Sequence, residues 1–486
     1  MKKIIIAEKP SVAQEYAKVL GVSGKSGQGY IENESWIVTW TVGHLVTLAY
    51  PEKYGDNLKE WKLETLPFIP EKYKYEIIAE TRKQFEIVKK LYNRSDVTAI
   101  YYAGDSGREG LYIQMLVRML AGHNPQAQEK VVWINSQTED EILNGIAEAK
   151  SLSEYKNMSD AGYMRGIADY LVGINFSRVL SILYAPMLNT GSGQKHKVPI
   201  SVGRVMTCVL GMIVRREREI VNFKVQNFYR IKGTIDNNGS FVECEWKVTE
   251  KSRYFNSPKL YSEFGFNEEV EAQNFIKTLN DELVISNVER NVEKKNAPLL
   301  YNLAELQNEC SKVLHISPSE TLSIAQSLYE KKVTTYPRTD ARVLSSAVAN
   351  EISKNLSGLR NIEEYEKYVG IIEQNHYSLK DKYVNDSKIT DHYAIIPTGR
   401  HANDLTQRET KVYEMIVRRF LAAFYPPAEF EIIKFNAYAN DELFTGTKKF
   451  LVKSGYYDIA GMPDEYMKES DENIKSIQPG KKYKAT

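Results

Sequence analysis

Two stretches of this chain are built to one plan, and they restrict its fold more than any other feature. The first, "KKIIIAEKPSVAQEYAKVLG", opens with a short apolar strand, Ile4–Ala7, and runs into a helix, with Ser11 and Gln14 spaced as a capping box. The second, "VTAIYYAGDSGREGLYIQMLVRML", repeats it: Val97–Ala103 is a strand of the fully buried type, and Leu111, Met115, Leu116, Met119 and Leu120 mark one helical face. Successive strand–loop–helix units predict a parallel sheet covered by helices. In such sheets ligands bind beyond the carboxyl ends of the strands. Glu8 and Asp105 each fall just past a strand end, so both are expected at one crevice.

Downstream the pattern changes. "SFVECEWKV" alternates Val242, Cys244, Trp246 and Val248 with polar residues, as a half-buried strand does. A second β-rich stretch, "AEFEIIKFNAYA" through "LFTGTKKFLV", arrives only after residue 428. Between them "LAELQNECSKVL" has helical spacing, and "SPSETLSIAQSLYEKK" opens with Ser317 as cap, Pro318 at the first helical position and Glu320 completing the box. The economical reading is a β domain interrupted by a mainly helical one. Held by two strand connections, such an insertion is placed to swing as a unit. The polar tail after Met462 is expected to be loosely ordered at its end.

A length of 486 residues suggests about three domains. The net charge of +1 excludes a polycation but leaves local patches open. Cys208, Cys244 and Cys310 lie too far apart for a CxxC metal site or a disulfide framework, which favours a reducing compartment. The opening "MKKIIIAEKP" meets Glu8-Lys9 before a secretory core can form, and no run reads as membrane-spanning; a cytoplasmic protein is expected.

Three stretches carry chemistry. In "AGDSGREG", residues 103–110, the glycines match neither the dinucleotide fingerprint nor the P-loop, which disfavours a nucleotide cradle. Taken alone, this octapeptide is most simply a solvated turn capping a helix. Paired with "AEKPS", it can instead supply Glu8, Asp105 and Glu109 as oxygen ligands for Mg²⁺. Residues 170–216 hold no Asp or Glu, where about six would be expected, yet they carry Arg178, Lys195, Lys197, Arg204, Arg215, Arg216 and His196. A surface that excludes carboxylates and keeps cations suits a phosphate backbone; for Lys195 and Lys197 a solvated loop remains the alternative. In "VTTYPRTDAR", residues 333–342, Pro337 pushes Tyr336 to the extended region, so Tyr336, Arg338 and Asp340 are expected on one face. Ionising a phenol at pH 7 costs roughly 4 kcal/mol, part of which a neighbouring guanidinium offsets. "DHYAIIPTG" adds His392, a phosphate partner or a structural histidine.

Together these stretches resemble the type IA DNA topoisomerases. "IIIAEKPSVAQ" and "GDSGREG" are similar to the family's Toprim metal site, and "VTWTVGHLVTLAYPEKY" to its "GHL" segment. "RGIADYLVGINFSRVL" and "SVGRVMTCVLGMIVRREREIVNF" resemble its strand-binding helices. "TLSIAQSLYEKKVTTYPRTDAR" is similar to the active-site tyrosine segment, and "DHYAIIPT" to the histidine motif. The likeness runs in family order from residue 2 to about 456, and "TYPRTD" and "HYAIIPT" are closer to the topoisomerase III branch than to topoisomerase I.

The resemblance implies a multidomain α/β and α+β chain of toroidal type IA architecture, C-terminally short. Its parts would be a Toprim domain at 1–150, the first part of a helical strand-binding domain at 151–224, a β-rich arch at 225–296 and 406–486, and the tyrosine-bearing gate at 297–405. It implies that Tyr336 attacks a single-stranded phosphodiester and becomes linked to the 5′ phosphate without ATP. Arg338 would stabilise the developing charge, and Lys9 would protonate the leaving 3′ oxygen. Glu8, Asp105 and Glu109 would hold Mg²⁺, with Glu8 also acting in catalysis. His392, Arg178 and Arg204 would fix the cut strand, with His44, Asn175, Ser177 and Ser201 as further DNA contacts. The implied partners are single-stranded or underwound DNA on the nucleoid, and a helicase or a second polypeptide, with no membrane.

Some positions depart from the family pattern. Gly107 and Leu111 stand where relatives carry an Asp and a Glu, which points to a single ion. Met206 and Cys208 replace Gln and Pro, and Ala341 replaces Ser. The chain reaches Thr486 without the further strand-binding segment or zinc modules that relatives carry. The rival readings are a DNA clamp that has lost turnover and a Toprim-type nuclease or primase.

Overall fold

The strand Lys2–Ala7 is buried on both faces, with Ile4 and Ile6 turned to one side and Ile5 and Ala7 to the other. That alternation requires helices above and below, and they are present in this computed structural model. Phe85 and Val88 of helix Arg82–Tyr92 and Leu111 and Met115 of helix Arg108–Ala121 close one core. Val12 and Tyr16 of helix Pro10–Val19 and Ile142 of helix Glu139–Ala147 close the other. The structure describes all residues except 24–28, 123, 190–198, 238, 262–264, 390–391, 402–403 and 467–474. Lys195, His196 and Lys197 therefore lie outside the described residues.

The chain forms two units: Met1–Asn222 with Ala325–Thr339 and Thr390–Tyr393, and Phe223–Ile324 with Asp340–Ile389 and Ala394–Thr486. In the first unit, four parallel strands stand in the order Trp36–Trp40, Lys2–Ala7, Val97–Ala103, Gln128–Val131, with an antiparallel strand at each edge. From Lys2–Ala7 the chain winds towards one edge, and from Val97–Ala103 towards the other. The topological switch point thus lies between those two strands, and Glu8 and Asp105 follow their carboxyl ends.

Helix Pro10–Val19 starts two residues earlier than the Ser11 capping box implies. Pro10 takes the first position, and Lys9 stands at the N-cap with no side-chain cap bond. Ser317 does cap its helix, accepting the Glu320 N–H at 3.1 Å.

A polar cluster braces the far edge of this sheet. Glu129 accepts both arms of Arg118, at 2.7 and 2.8 Å, and the hydroxyls of Tyr92 and Tyr102, at 2.5 and 2.7 Å. Burial pushes its carboxyl up, but these donors outweigh burial and bring it down from 4.5 to about 2. A carboxyl depressed in the folded state stabilises above its unfolded pKa. The contribution, about 3 kcal/mol, is complete above the ordinary Glu range and is lost as pH falls from there towards 2. Glu129→Gln is expected to lose most of it at neutral pH. Denaturant titrations at pH 7 and pH 3 check this, the deficit shrinking at the lower pH.

Helix Lys156–Asn189 follows. Against the expectation from sequence, the stretch Leu152–Met187 is long and apolar enough to cross a membrane by length and composition. Its polar side chains nonetheless bind protein. Tyr170 Oη donates to Ala49 O at 2.7 Å, Arg178 Nη1 to Leu58 O at 3.1 Å, and Asn175 Nδ2 to Phe68 O at 2.9 Å. Helix Arg204–Val221 is amphipathic yet buries none of its residues, leaving Val205, Met206, Val209 and Leu210 exposed.

In the second unit the two β-rich stretches join one antiparallel sheet. Its order is Lys482–Lys484, Glu282–Lys295, Ala428–Ala439, Glu442–Lys453, Ser240–Lys247, Lys232–Asn237. Val242, Cys244 and Trp246 face its core, as their alternation requires. The sheet curls until its outermost strands meet: Thr234 N donates to Thr486 O at 2.9 Å and Thr486 N to Thr234 O at 3.1 Å.

The end of the tail is therefore strand rather than loose chain. Buried Tyr483 and its neighbour Ala485 reach the core, which the polar residues around them conceal. Lys295 pairs with Ala428, so the chain leaves and re-enters the sheet at adjacent strand ends. The excursion between them is mainly helical from Leu303 to Ala422, running past residue 405, and its stretches Ala325–Thr339 and Thr390–Tyr393 belong to the first unit.

Candidate active site

All residues of the site lie in the first unit. Strand Lys2–Ala7 delivers Glu8, whose carbonyl accepts from Thr41 Oγ1 at 2.9 Å. Strand Val97–Ala103 delivers Asp105, whose N–H donates to Glu8 Oε2 at 3.0 Å. The glycines of "GDSGREG" divide by role. A Cβ on Gly110 would lie 2.1 Å from Asp105 O, so this glycine lets the Asp105 loop rest on the first turn of helix Arg108–Ala121. A Cβ on Gly107 would meet nothing within 4 Å, so a side chain there is sterically free and simply missing.

Glu8 and Asp105 form a buried carboxylate pair. Burial raises the Glu8 carboxyl and the charge of Asp105 raises it further, against the pull of Lys9 and Arg338. Asp105 is raised by burial, with Lys9 and Arg338 opposing. Two carboxylates raised in this way, with hard oxygen donors, suit a divalent cation, which would neutralise both. Glu109 does not join them. It projects from the start of the helix towards His44, with Oε1 3.1 Å from Nε2, and both side chains are exposed. Among the described residues, no group of three or more His, Cys, Asp or Glu side chains is gathered closely enough to hold a metal ion.

Tyr336 lies within electrostatic reach of this pair. It is only 5% exposed, yet its surroundings are charged. Burial pushes its phenol well above the ordinary value of 10, the charges of Asp105 and Glu8 add to this, and Arg338 pulls the other way. Its N–H donates to Asn135 O at 2.9 Å, and its ring lies 5.3 Å from Tyr329 and 4.6 Å from His392.

Beyond Tyr336 the backbone departs from the expected extended run. Thr339 N donates to Pro337 O at 3.0 Å, a three-residue turn centred on exposed Arg338 that breaks the alternation. Asp340 belongs to the second unit, where its carbonyl accepts from Asn302 Nδ2 at 3.0 Å. Lys9 is held by a partner the sequence did not show. Its ammonium donates to Glu330 Oε1 at 2.9 Å. Burial pulls the ammonium down, but the Glu330 hydrogen bond and the carboxylate pair outweigh it and leave it above its ordinary range.

His392 is engaged by protein on both ring nitrogens. Nδ1 lies 2.7 Å from Asn135 Oδ1, Nε2 meets the Ser106 carbonyl, and the ring stacks on Trp133 at 5.6 Å. Both nitrogens are engaged by the loops that follow strands Val97–Ala103 and Gln128–Val131. Asn135, Ser106 and Glu330 are thus site residues that the sequence reading missed. The available signal was position: Asn135 lies just beyond a strand end, as Glu8 and Asp105 do.

A groove of about 820 Å³ elsewhere in this unit gathers His44, Ser177, Arg178 and Ser201, together with Trp61, Tyr170 and Asp169. Arg204 reaches it through Asp169, with Nε 2.6 Å from Oδ1. Arg178 is buried within its wall, 5.3 Å over Trp61, rather than free to meet phosphate. Asn175 is turned away, locked by two hydrogen bonds to the backbone of Phe68.

A family model described as DNA topoisomerase matches residues 153–486, and one described as Toprim domain matches residues 3–136. The chain belongs to the DNA topoisomerase family. It is 36% identical over 485 residues to DNA topoisomerase 3 of Bacillus subtilis, covering 99% of this chain and 63% of that relative. It is likewise 36% identical over 486 residues to DNA topoisomerase 3 of Bacillus licheniformis, again covering 99% and 63%. The chain thus spans less than two thirds of the length of these topoisomerases. Full-length topoisomerase I of Thermotoga maritima shares the fold, with a TM-score of 0.67 and 22% identity over 99% of this chain and 70% of that one. The Toprim match assigns a metal-binding fold to the sheet that carries Glu8 and Asp105.

Proposed function

We propose that this topoisomerase-family chain cuts one DNA strand through a 5′-phosphotyrosine at Tyr336, lets a strand pass, and reseals the break without ATP, in the manner of topoisomerase III. The observation that carries this reading is that the Tyr336 phenol and the Glu8–Asp105 pair lie within one another's electrostatic reach, with Arg338 acting on all three and Lys9 on both carboxylates.

The tyrosine oxygen attacks phosphorus as the bond to the 3′ oxygen breaks. Because burial and Asp105 hold the phenol protonated, it must give up its proton as the new bond forms, and Glu8, with its carboxyl raised, is suited to take it. Lys9, kept protonated by Glu330, donates to the leaving 3′ oxygen. Arg338 faces the charge that develops on phosphate. One phosphodiester is exchanged for another, so resealing is the same sequence reversed. Glu8 and Asp105 would hold the magnesium ion, Glu109 joining them only by leaving His44; when bound, the ion supplies positive charge beside the reacting phosphate.

The groove at His44, Ser177 and Ser201 is read as the path of the bound single strand, with Arg204 as its phosphate contact. Arg204→Ala is expected to weaken oligonucleotide binding for any sequence and to lower the salt slope by about one; fluorescence anisotropy across a salt series measures it. Arg178→Ala is expected to cost stability as well, since Trp61 and Leu58 lose their partner. The exposed apolar residues of helix Arg204–Val221 are where a partner polypeptide or a helicase would pack, and the place of action is the cytoplasmic nucleoid.

Incubation with end-labelled single-stranded DNA followed by denaturation tests the reading. A covalent adduct on the new 5′ end, formed without ATP, is the expected result. Cleavage without an adduct would favour the nuclease, and retention without cleavage the clamp.

A further inference from the structure

We infer that Asn135 is the positioning residue that holds the nucleophile and His392 in one arrangement; this rests on the topoisomerase reading above. Three separate bonds converge on Asn135. Its carbonyl accepts the Tyr336 N–H at 2.9 Å, its side-chain Oδ1 lies 2.7 Å from His392 Nδ1, and its own N–H donates to Glu141 Oε1 at 2.9 Å.

Asn135 follows the strand Gln128–Val131, next in the sheet to the strand that delivers Asp105. It therefore ties two segments far apart in sequence, 325–339 and 390–393, to the loop layer in which the carboxylates sit. His392 completes the clamp. Its Nε2 meets the Ser106 carbonyl. Its ring, stacked on Trp133, presents a face to Tyr336 at 4.6 Å. The Asn135 amide thereby fixes the ring against which the phenol rests, without itself touching the reacting atoms. Ser106 sits in the same clamp: its hydroxyl accepts the N–H of Ile134, the residue before Asn135, at 2.9 Å, so the loops after the two strands brace each other.

Loss of this amide should misplace the tyrosine while leaving the DNA groove intact, because the groove is lined by other residues. A misplacement of this kind lowers rate far more than affinity. The test is single-turnover adduct formation with end-labelled oligonucleotide in the unmodified protein, Asn135→Ala, His392→Ala and the double variant. Oligonucleotide affinity and thermal unfolding are measured alongside.

Asn135→Ala should form adduct about 10- to 100-fold more slowly, with affinity within twofold of the unmodified protein. The double variant should be no slower than His392→Ala alone, because the amide acts through the ring. Additive losses, an unchanged rate, or affinity and rate falling together would overturn the assignment. Should the alanine variant not fold, Asn135→Ser, which is polar but too short to reach the ring, takes its place in the same cycle. If the unmodified protein forms no adduct, the topoisomerase reading fails first and takes this inference with it. An adduct in the unmodified protein with additive variants sinks this inference alone.

Discussion

Tyr336→Phe is expected to bind single-stranded DNA as the unmodified chain does and to leave it uncut. The substitution removes one oxygen. The ring keeps its packing against Tyr329 and His392, and the backbone keeps its hydrogen bond to Asn135, so neither the fold nor the groove is disturbed. What disappears is the atom that must bond to phosphorus. Removal of a nucleophile that works with a base and a charge stabiliser costs about 10⁶ in well-studied hydrolases, so a fall of at least about a thousandfold, to background, is expected here. Tyr329 cannot take over: burial holds its phenol far above the ordinary value, and Gln137 engages its hydroxyl. A denaturing gel of the labelled strand reads the adduct, and filter binding reads the retained complex. Persisting cleavage would assign the chemistry to the acidic pair alone and make the protein a nuclease.

The parts of this site that were legible in the sequence are those fixed by local geometry. Apolar runs followed by helical spacing located both strands of the switch point, and an acidic residue just beyond each strand end could only fall in the crevice between them. The interrupted β domain was readable for a similar reason, since alternation in "SFVECEWKV" and in the strands after residue 428 needs one shared core.

What the sequence hid was side-chain direction and non-local pairing. Glu109 has the right spacing for a ligand, but the helix start aims it at His44. Arg178 lies in a carboxylate-free segment, but its guanidinium is absorbed by Trp61 and a backbone carbonyl. Tyr483 closes a sheet from within a polar tail because its partners lie about 200 residues upstream, a separation no local pattern reports. The turn at Arg338 follows a proline whose effect on the preceding residue is predictable, while its effect on those after it is not.

Asp105→Asn carries the second large expectation, an increase of at least about tenfold in the magnesium concentration needed for strand passage. With Glu109 turned to His44 and Gly107 supplying no side chain, Glu8 and Asp105 are the whole of the buried carboxylate set, so removing one charge halves it. The same substitution has a consequence of known sign at Glu8. Burial and the charge of Asp105 both raise that carboxyl; with the charge gone, only burial remains, and the pKa of Glu8 must fall. A group needed in its ionised form then titrates at lower pH, and the acid limb of single-strand cleavage measured without magnesium moves down with it. Tyr336 shifts in the same direction, since Asp105 is also part of what holds its phenol up. Two measurements separate the effects: in relaxation of negatively supercoiled plasmid the midpoint in magnesium rises, and in adduct formation without magnesium at several pH values the acid limb retreats. A variant that needs no more metal than the unmodified chain would place the ion elsewhere, and an acid limb that stays fixed would remove Glu8 from the proton path.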